Sequence, residues 1–143
     1  MLYFKKLHPD AKIPQYVNNY ASGMDISSIE NVTINPGEFK IVETGIACEL
    51  PQGYEIQVRA RSGLAAKYGV FVLNGVGTID MDYIGPLKGI MANFSKVPYV
   101  IQKGDRIAQL VVSKVYRMEA EETSDNLTPK GDRGTQGFGH SGR

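Results

Sequence analysis

The run Tyr54-Glu55-Ile56-Gln57-Val58-Arg59-Ala60-Arg61 alternates without a break. Tyr54, Ile56, Val58 and Ala60 fall on one face, and Glu55, Gln57, Arg59 and Arg61 on the other. A period of two residues is that of a strand with one face in a core and one in water. The same habit recurs outward in both directions, at residues 2–7, 39–43, 45–50, 70–73, 89–94, 99–102 and 106–116. Turn residues punctuate these runs: Asn35-Pro36-Gly37, Pro51-Gln52-Gly53, Asn74-Gly75, Gly85-Pro86 and Lys103-Gly104-Asp105. Many short strands at this spacing predict an all-β fold, a sandwich or a barrel. One short helix is expected over Ser62–Tyr68, where Leu64-Ala65-Ala66-Lys67 follow a Ser cap. A helix of that length depends on packing rather than on its own propensity.

The chain has 143 residues, the size of one ordinary domain. Lys+Arg 16 against Asp+Glu 15 leaves a net charge of +1, which argues against a dominant nucleic-acid footprint. Cys48 is the sole cysteine, so neither an intrachain disulfide nor a cysteine zinc cluster is available. The opening Met1-Leu2-Tyr3-Phe4-Lys5-Lys6 is too short an apolar run for a secretory signal. No stretch approaches the roughly 18 apolar residues of a membrane span. The expectation is a soluble cytoplasmic domain with neither membrane nor nucleic acid as partner.

Five segments carry candidate chemistry. In Arg59-Ala60-Arg61-Ser62-Gly63-Leu64-Ala65, a helix starting after Ser62 would aim free N–H groups at an anion beside Arg61. Unaided, Ser62 as a cap and Arg61 as a surface charge explain the stretch as well. In Gly77-Thr78-Ile79-Asp80-Met81-Asp82-Tyr83-Ile84-Gly85, a strand would set Asp80 and Asp82 on one face and Tyr83 on the other. Two such carboxylates divide labour, one as a general base, or else satisfy loop amides. Near a bound phosphate they also suggest a Mg2+ that keeps most of its waters. Gly23-Met24-Asp25-Ile26 and Gly104-Asp105-Arg106-Ile107-Ala108-Gln109-Leu110 each read as a turn leading into a strand.

The last segment differs from the rest. Residues 130–143 hold five glycines, three basic residues and one aromatic, Phe138. Gly137-Phe138-Gly139-His140-Ser141-Gly142 matches G-x-G-x-x-G by letter, but the chain ends one residue later and no helix can follow. Flexible backbone N–H groups, the charge of Arg133 and the face of Phe138 still suit an anionic ligand. Glycine-rich ends are more often simply frayed. Zinc-deaminase ligands are missing, with no H-x-E and no P-C-x-x-C in the chain.

Taken together, these segments resemble the five ordered motifs of the trimeric dUTPase family (deoxyuridine 5′-triphosphate nucleotidohydrolases). Ala21-Ser22-Gly23-Met24-Asp25-Ile26 resembles the first and Arg61-Ser62-Gly63-Leu64-Ala65 the second. The third runs from Asn74 through Gly77-Thr78-Ile79-Asp80-Met81-Asp82-Tyr83 to Gly85. Gly104-Asp105-Arg106-Ile107-Ala108-Gln109-Leu110 and the stretch from Arg133 to Gly142 resemble the fourth and fifth. The resemblance implies a jelly-roll β fold over residues 1–119, a polar linker over 120–129 and a flexible arm over 130–143. It implies a homotrimer with active sites shared between subunits, and Mg2+ as cofactor.

The implied reaction is hydrolysis of dUTP to dUMP and pyrophosphate, which keeps uracil out of DNA and supplies dUMP for thymidylate synthesis. Asp80 would activate the water that attacks the α-phosphorus. Backbone groups around Asn74, Gly77, Thr78 and Ile79 would hold uracil, and Tyr83 would pack on the deoxyribose and leave no room for a 2′-OH. Arg61, Ser62 and Gly63 would hold the phosphates, and Lys88 would contact substrate. Gln109 and Asp25 would reach the phosphates or the metal through water, neither as a direct ligand. The arm would close with Arg133 on the γ-phosphate and Phe138 on uracil, bending at Gly137 and Gly139, with Ser141 also in contact. Gln136 replaces a frequent glycine of that motif and His140-Ser141 a common Ser-Thr pair, which would alter closure at most. A dCTP deaminase shares the fold and parts of the third motif. It lacks this tail and needs a further catalytic glutamate, for which the chain shows no convincing candidate. A non-enzymatic β trimer would leave Asp80 and Tyr83 unexplained.

Overall fold

A computed structural model describes residues 1–137. Its elements in chain order are β1 (Tyr3–Lys6), β2 (Met24–Ser27), β3 (Val32–Ile34), β4 (Phe39–Glu43), β5 (Ile46–Glu49), β6 (Tyr54–Ala60), α1 (Ser62–Tyr68), β7 (Val70–Val72), β8 (Val76–Ile79), β9 (Lys88–Asn93), β10 (Tyr99–Ile101) and β11 (Arg106–Lys114). The fold is mostly β with one short helix. Every strand pairing is antiparallel.

The strands form a four-stranded sheet in the order β2-β11-β6-β8, a three-stranded sheet β4-β9-β7, and the pairs β1-β5 and β10-β3. Among the described residues no sheet closes on itself, so the barrel half of the expectation is set aside; β2 and β8 remain edges. The alternation of β6 holds in its centre, where Ile56 and Val58 are buried between the more exposed Glu55, Gln57 and Arg59. Ile56 and Val58 join Met24 and Ile26 of β2, Leu110 of β11, Met91 of β9 and Val70 and Val72 of β7 in one apolar cluster. Burying such side chains contributes about 1.5–3 kcal/mol each, which is what holds the sheets together.

The helix spans the expected residues but begins differently. Arg61 stands at the N-cap in extended backbone, φ −85 and ψ 123, with no side-chain cap bond, and Ser62 is already helical. The extended path of β6 runs one residue past Ala60, so the Ser62 hydroxyl is not spent on capping. Gly69, left-handed at φ 64, ends the helix by donating its N–H to the Ala65 carbonyl. β3 was not legible in the sequence. Three residues show no period, and this strand is held by its ladder to β10, with Ile34 opposite Tyr99 and Val32 opposite Ile101, and by burial of Ile34 and Ile101 in the core.

Gly45 between β4 and β5 stands at φ 66, and a Cβ there would lie 2.8 Å from the His8 Cβ and 3.1 Å from the Ala11 Cβ. Gly53 is also left-handed, at φ 82, with nothing within 4 Å of such a Cβ. Gly53→Ala is therefore expected to cost only the backbone strain, about 1–2 kcal/mol. Gly45→Ala adds overpacking of about 1–3 kcal/mol. Denaturant unfolding of the two variants checks this; equal midpoints would show that the Gly45 contacts relax freely.

Candidate functional site

The connection from β7 to β8, which passes from the three-stranded to the four-stranded sheet, turns through Gly75, at φ 73, whose N–H donates to the Val72 carbonyl. A cavity of about 250 Å3 opens beside it and brings together Asn74, Gly77, Thr78, Ile79, Tyr83 and Lys88. Ile41, Val58, Val72 and Ile90 supply its apolar wall. β8 is an edge of its sheet, so alternate backbone N–H and C=O groups point away from β6. A Cβ on Gly77 would meet Asn74 Nδ2 at 3.0 Å and Val58 Cβ at 3.2 Å, so the glycine lets the Asn74 amide lie against the strand. Lys88 faces Glu43 across the β4–β9 ladder, with Nζ 2.6 Å from Oε1. That carboxylate holds the ammonium above its ordinary pKa.

A second cluster stands on the four-stranded sheet. The register sets Asp25 of β2 opposite Gln109 of β11, and Gln109 opposite Arg59 of β6. Directly opposed residues share a face, so the three line one cavity together with Ser22 and Gly23. Asp25 is only 22% exposed and both its oxygens are taken: Arg61 Nε donates to Oδ1 at 3.1 Å and an Arg106 Nη donates to Oδ2 at 3.0 Å. Arg61 also donates to the Arg106 carbonyl at 3.0 Å. The bulge in β11 between Arg106 and Ala108 carries Arg106 toward Asp25, its diagonal neighbour across the ladder. Two guanidinium groups locked by one carboxylate form a rigid cationic surface beside the exposed Ser62 and Gly63 at the start of α1.

Asp80 is exposed and follows β8 directly, but it lines a separate cavity with Gln52, Tyr54, Glu55, Met81 and Arg117. Asp80 and Asp82 do not share a strand face. The Tyr83 N–H donates to the Asp80 carbonyl at 3.1 Å, so residues 80–83 turn and the two-residue period stops at Ile79. Arg133 is exposed and its Nε donates to the Gln136 carbonyl at 2.9 Å within its own segment, near Gly137. Phe138, Gly139 and Ser141 lie outside the described residues.

Sequence reasoning gave no site role to Glu43, Arg106 or the carbonyl of Pro86. Arg106 lay inside a noted motif, but its pairing with Asp25 spans 81 residues and only the ladder brings it about. The alternation of β9 could have placed Ile90 on the face of Lys88. The ion-pair partner Glu43 depends on the register of a strand distant in sequence.

The dUTPase family model matches residues 9–142. A deoxyuridine 5′-triphosphate nucleotidohydrolase of Chlamydia trachomatis serovar L2 is 47% identical over 144 residues, covering 99% of both chains. The structure of a Staphylococcus bacteriophage 80alpha dUTPase variant with dUpNHpp has a TM-score of 0.91 at 27% identity, covering 100% of this chain and 99% of that one. A phage phi11 dUTPase variant, described as revealing the coordination of a structural Mg(II) ion, has a TM-score of 0.81 at 25% identity, covering 87% of this chain and 97% of that one. A match that runs through all five segments and nearly the whole chain leaves one assignment: the chain belongs to the dUTPase family.

Proposed function

We propose that this chain hydrolyses dUTP to dUMP and pyrophosphate as a homotrimer of jelly-roll subunits, with Mg2+ carried on the triphosphate. The observation that carries the reading is the cavity beside β8, which gathers Asn74, Gly77, Thr78, Ile79, Tyr83 and Lys88 of one stretch against Ile41 and Val58 from two others. It is smaller than the roughly 300–1,000 Å3 of drug-sized sites, which suits a base and sugar with the phosphates outside. The outward backbone groups of the β8 edge offer uracil the donors and acceptors that a pairing strand would use. A 5-methyl group would meet the apolar wall.

Phosphoryl transfer asks a protein mainly for positioning and charge neutralisation. Arg61, held by Asp25, is preorganised for a phosphate, and the Ser62 hydroxyl and the first amides of α1 are available as donors. Asp80 accepts the proton of the attacking water, the oxygen bonds the α-phosphorus, and pyrophosphate departs. The donor set fits Mg2+ bound to triphosphate oxygens. Asp25 has both oxygens engaged, and among the described residues no group of three His, Cys, Asp or Glu stands together. When bound, the ion would neutralise charge on the triphosphate, and Asp25 and Gln109 would be the residues to hold it through water. Base cavity, arginine surface and Asp80 form separate surfaces of one chain, which supports a site completed by neighbouring subunits and closed by Arg133 and the arm.

Among the described residues no helix is long and apolar enough to cross a membrane. The deciding experiment is pyrophosphate release with Mg2+ from dUTP, UTP, dTTP and dCTP side by side, with products identified. Release from dUTP alone, as dUMP, is expected. Deamination of dCTP would keep the fold and overturn the function, and silence on all four would favour a binding protein. Tyr83→Ala is expected to relax discrimination against UTP by about 10²-fold, read as the ratio of kcat/KM values. Retained discrimination would assign that role to another residue.

A further inference from the structure

Gly85 is not among the left-handed glycines, so its backbone does not call for a residue without a side chain. Its surroundings do. A Cβ at Gly85 would lie 2.7 Å from Cζ and 2.7 Å from Oη of Tyr83, and 3.0 Å from Cε2. The tyrosine ring therefore occupies the volume that any other residue at position 85 would fill. The Tyr83 hydroxyl donates to the Pro86 carbonyl at 3.0 Å, and its backbone N–H donates to the Asp80 carbonyl. Tyr83 as a whole is 43% exposed, so neighbouring side chains hold it only in part. Its seat is the bare backbone of Gly85, with a tether at each end, on the wall of the base cavity.

We propose that Gly85 is a specificity-positioning residue: the space left by its missing side chain fixes where the Tyr83 ring stands, and so how closely the cavity admits the 2′ carbon of the sugar. The inference rests on the reading of Tyr83 as the sugar gate and adds what sets that gate. A ring held before substrate arrives keeps a fixed wall against an extra hydroxyl, whereas a loosely held ring yields to it. An alanine at position 85 forces the ring off its seat. The atoms it meets are the far end of one side chain, which can swing away without disturbing the core. The fold is then retained while the gate moves.

The test compares Gly85→Ala, Tyr83→Ala and the double variant, with kcat and KM measured separately for dUTP and UTP and unfolding midpoints recorded. Gly85→Ala is expected to raise the UTP-to-dUTP ratio of kcat/KM about tenfold, mainly through KM, with the midpoint little changed. In the Tyr83→Ala background the same substitution is expected to add nothing, because the group it displaces is gone. Tyr83→Phe keeps the ring and Gly85 but cuts the tether to Pro86, and is expected to raise the ratio about threefold, independently of how Gly85→Ala folds. A relaxed Tyr83→Ala beside unchanged ratios in Gly85→Ala and Tyr83→Phe would overturn the seat and leave the gate standing. Equal effects of Gly85→Ala with and without the ring would also overturn it. Unchanged discrimination in Tyr83→Ala would overturn gate and seat together.

Discussion

Asp80→Asn is expected to lower the turnover of dUTP by about 10²–10⁴-fold while the nucleotide still binds. The substitution keeps the shape of the side chain and removes only its capacity to take a proton. Asp80 is exposed, and among the described residues its side chain has no hydrogen bond or ion pair to lose, so the fold has no stake in the carboxylate. The residue sits one position beyond Ile79, the last residue of β8 to line the base cavity, and faces the separate cavity of Gln52, Tyr54, Glu55, Met81 and Arg117. On the proposed reading, that carboxylate takes the proton of the water that attacks the α-phosphorus. Pyrophosphate release measures the loss, and calorimetric titration with a non-hydrolysable dUTP analogue measures binding. Asp82→Asn is the control, because Asp82 lies inside the turn and is expected to leave turnover within a few-fold of the parent. Turnover within tenfold of the parent in Asp80→Asn would remove Asp80 as the base.

The strand pattern was legible because burial in this chain is one-sided. Ile56 and Val58 are buried while Arg59 is exposed, and such alternation is visible without a structure. The helix was legible in extent but not in its cap, because whether Arg61 or Ser62 opens it depends on how far β6 continues. The turn at residues 80–83 defeated the period, since a backbone hydrogen bond from Tyr83 to Asp80 is not written in side-chain hydropathy. The site divides in the same way. Local groups such as the turn and strand from Asn74 to Ile79 could be read as one stretch. The clamp of Asp25 by Arg61 and Arg106 joins residues 36 and 81 positions apart, and only the β2-β11-β6 order brings them together. That clamp adds what the sequence did not show for either residue: the Asp25 carboxylate holds Arg61 and Arg106 in place.

Truncation after Asn126 is expected to leave a folded trimer whose kcat/KM for dUTP falls by about 10²-fold or more. Stability is spared because the described residues that are removed, 127–137, contribute nothing to the core. From Tyr116 to Gly137 every residue is exposed, Leu127 is 84% exposed, and the last strand ends at Lys114. Activity is lost for a different reason. A base cavity of about 250 Å3 and a half-exposed tyrosine leave the phosphates open to water, where each charge on the protein is strongly screened. A segment that closes over them raises the worth of Arg61 and brings a further guanidinium in Arg133. Arg133 donates to the Gln136 carbonyl, an exposed bond that a phosphate readily replaces. Sedimentation and thermal unfolding establish that the truncated protein is intact, and pyrophosphate release gives the rate. Arg133→Ala in the full chain separates charge from closure: a loss smaller than that of truncation assigns the remainder to covering the site. Full activity in the truncated protein would show that the core alone completes the site and that the arm takes no part in turnover.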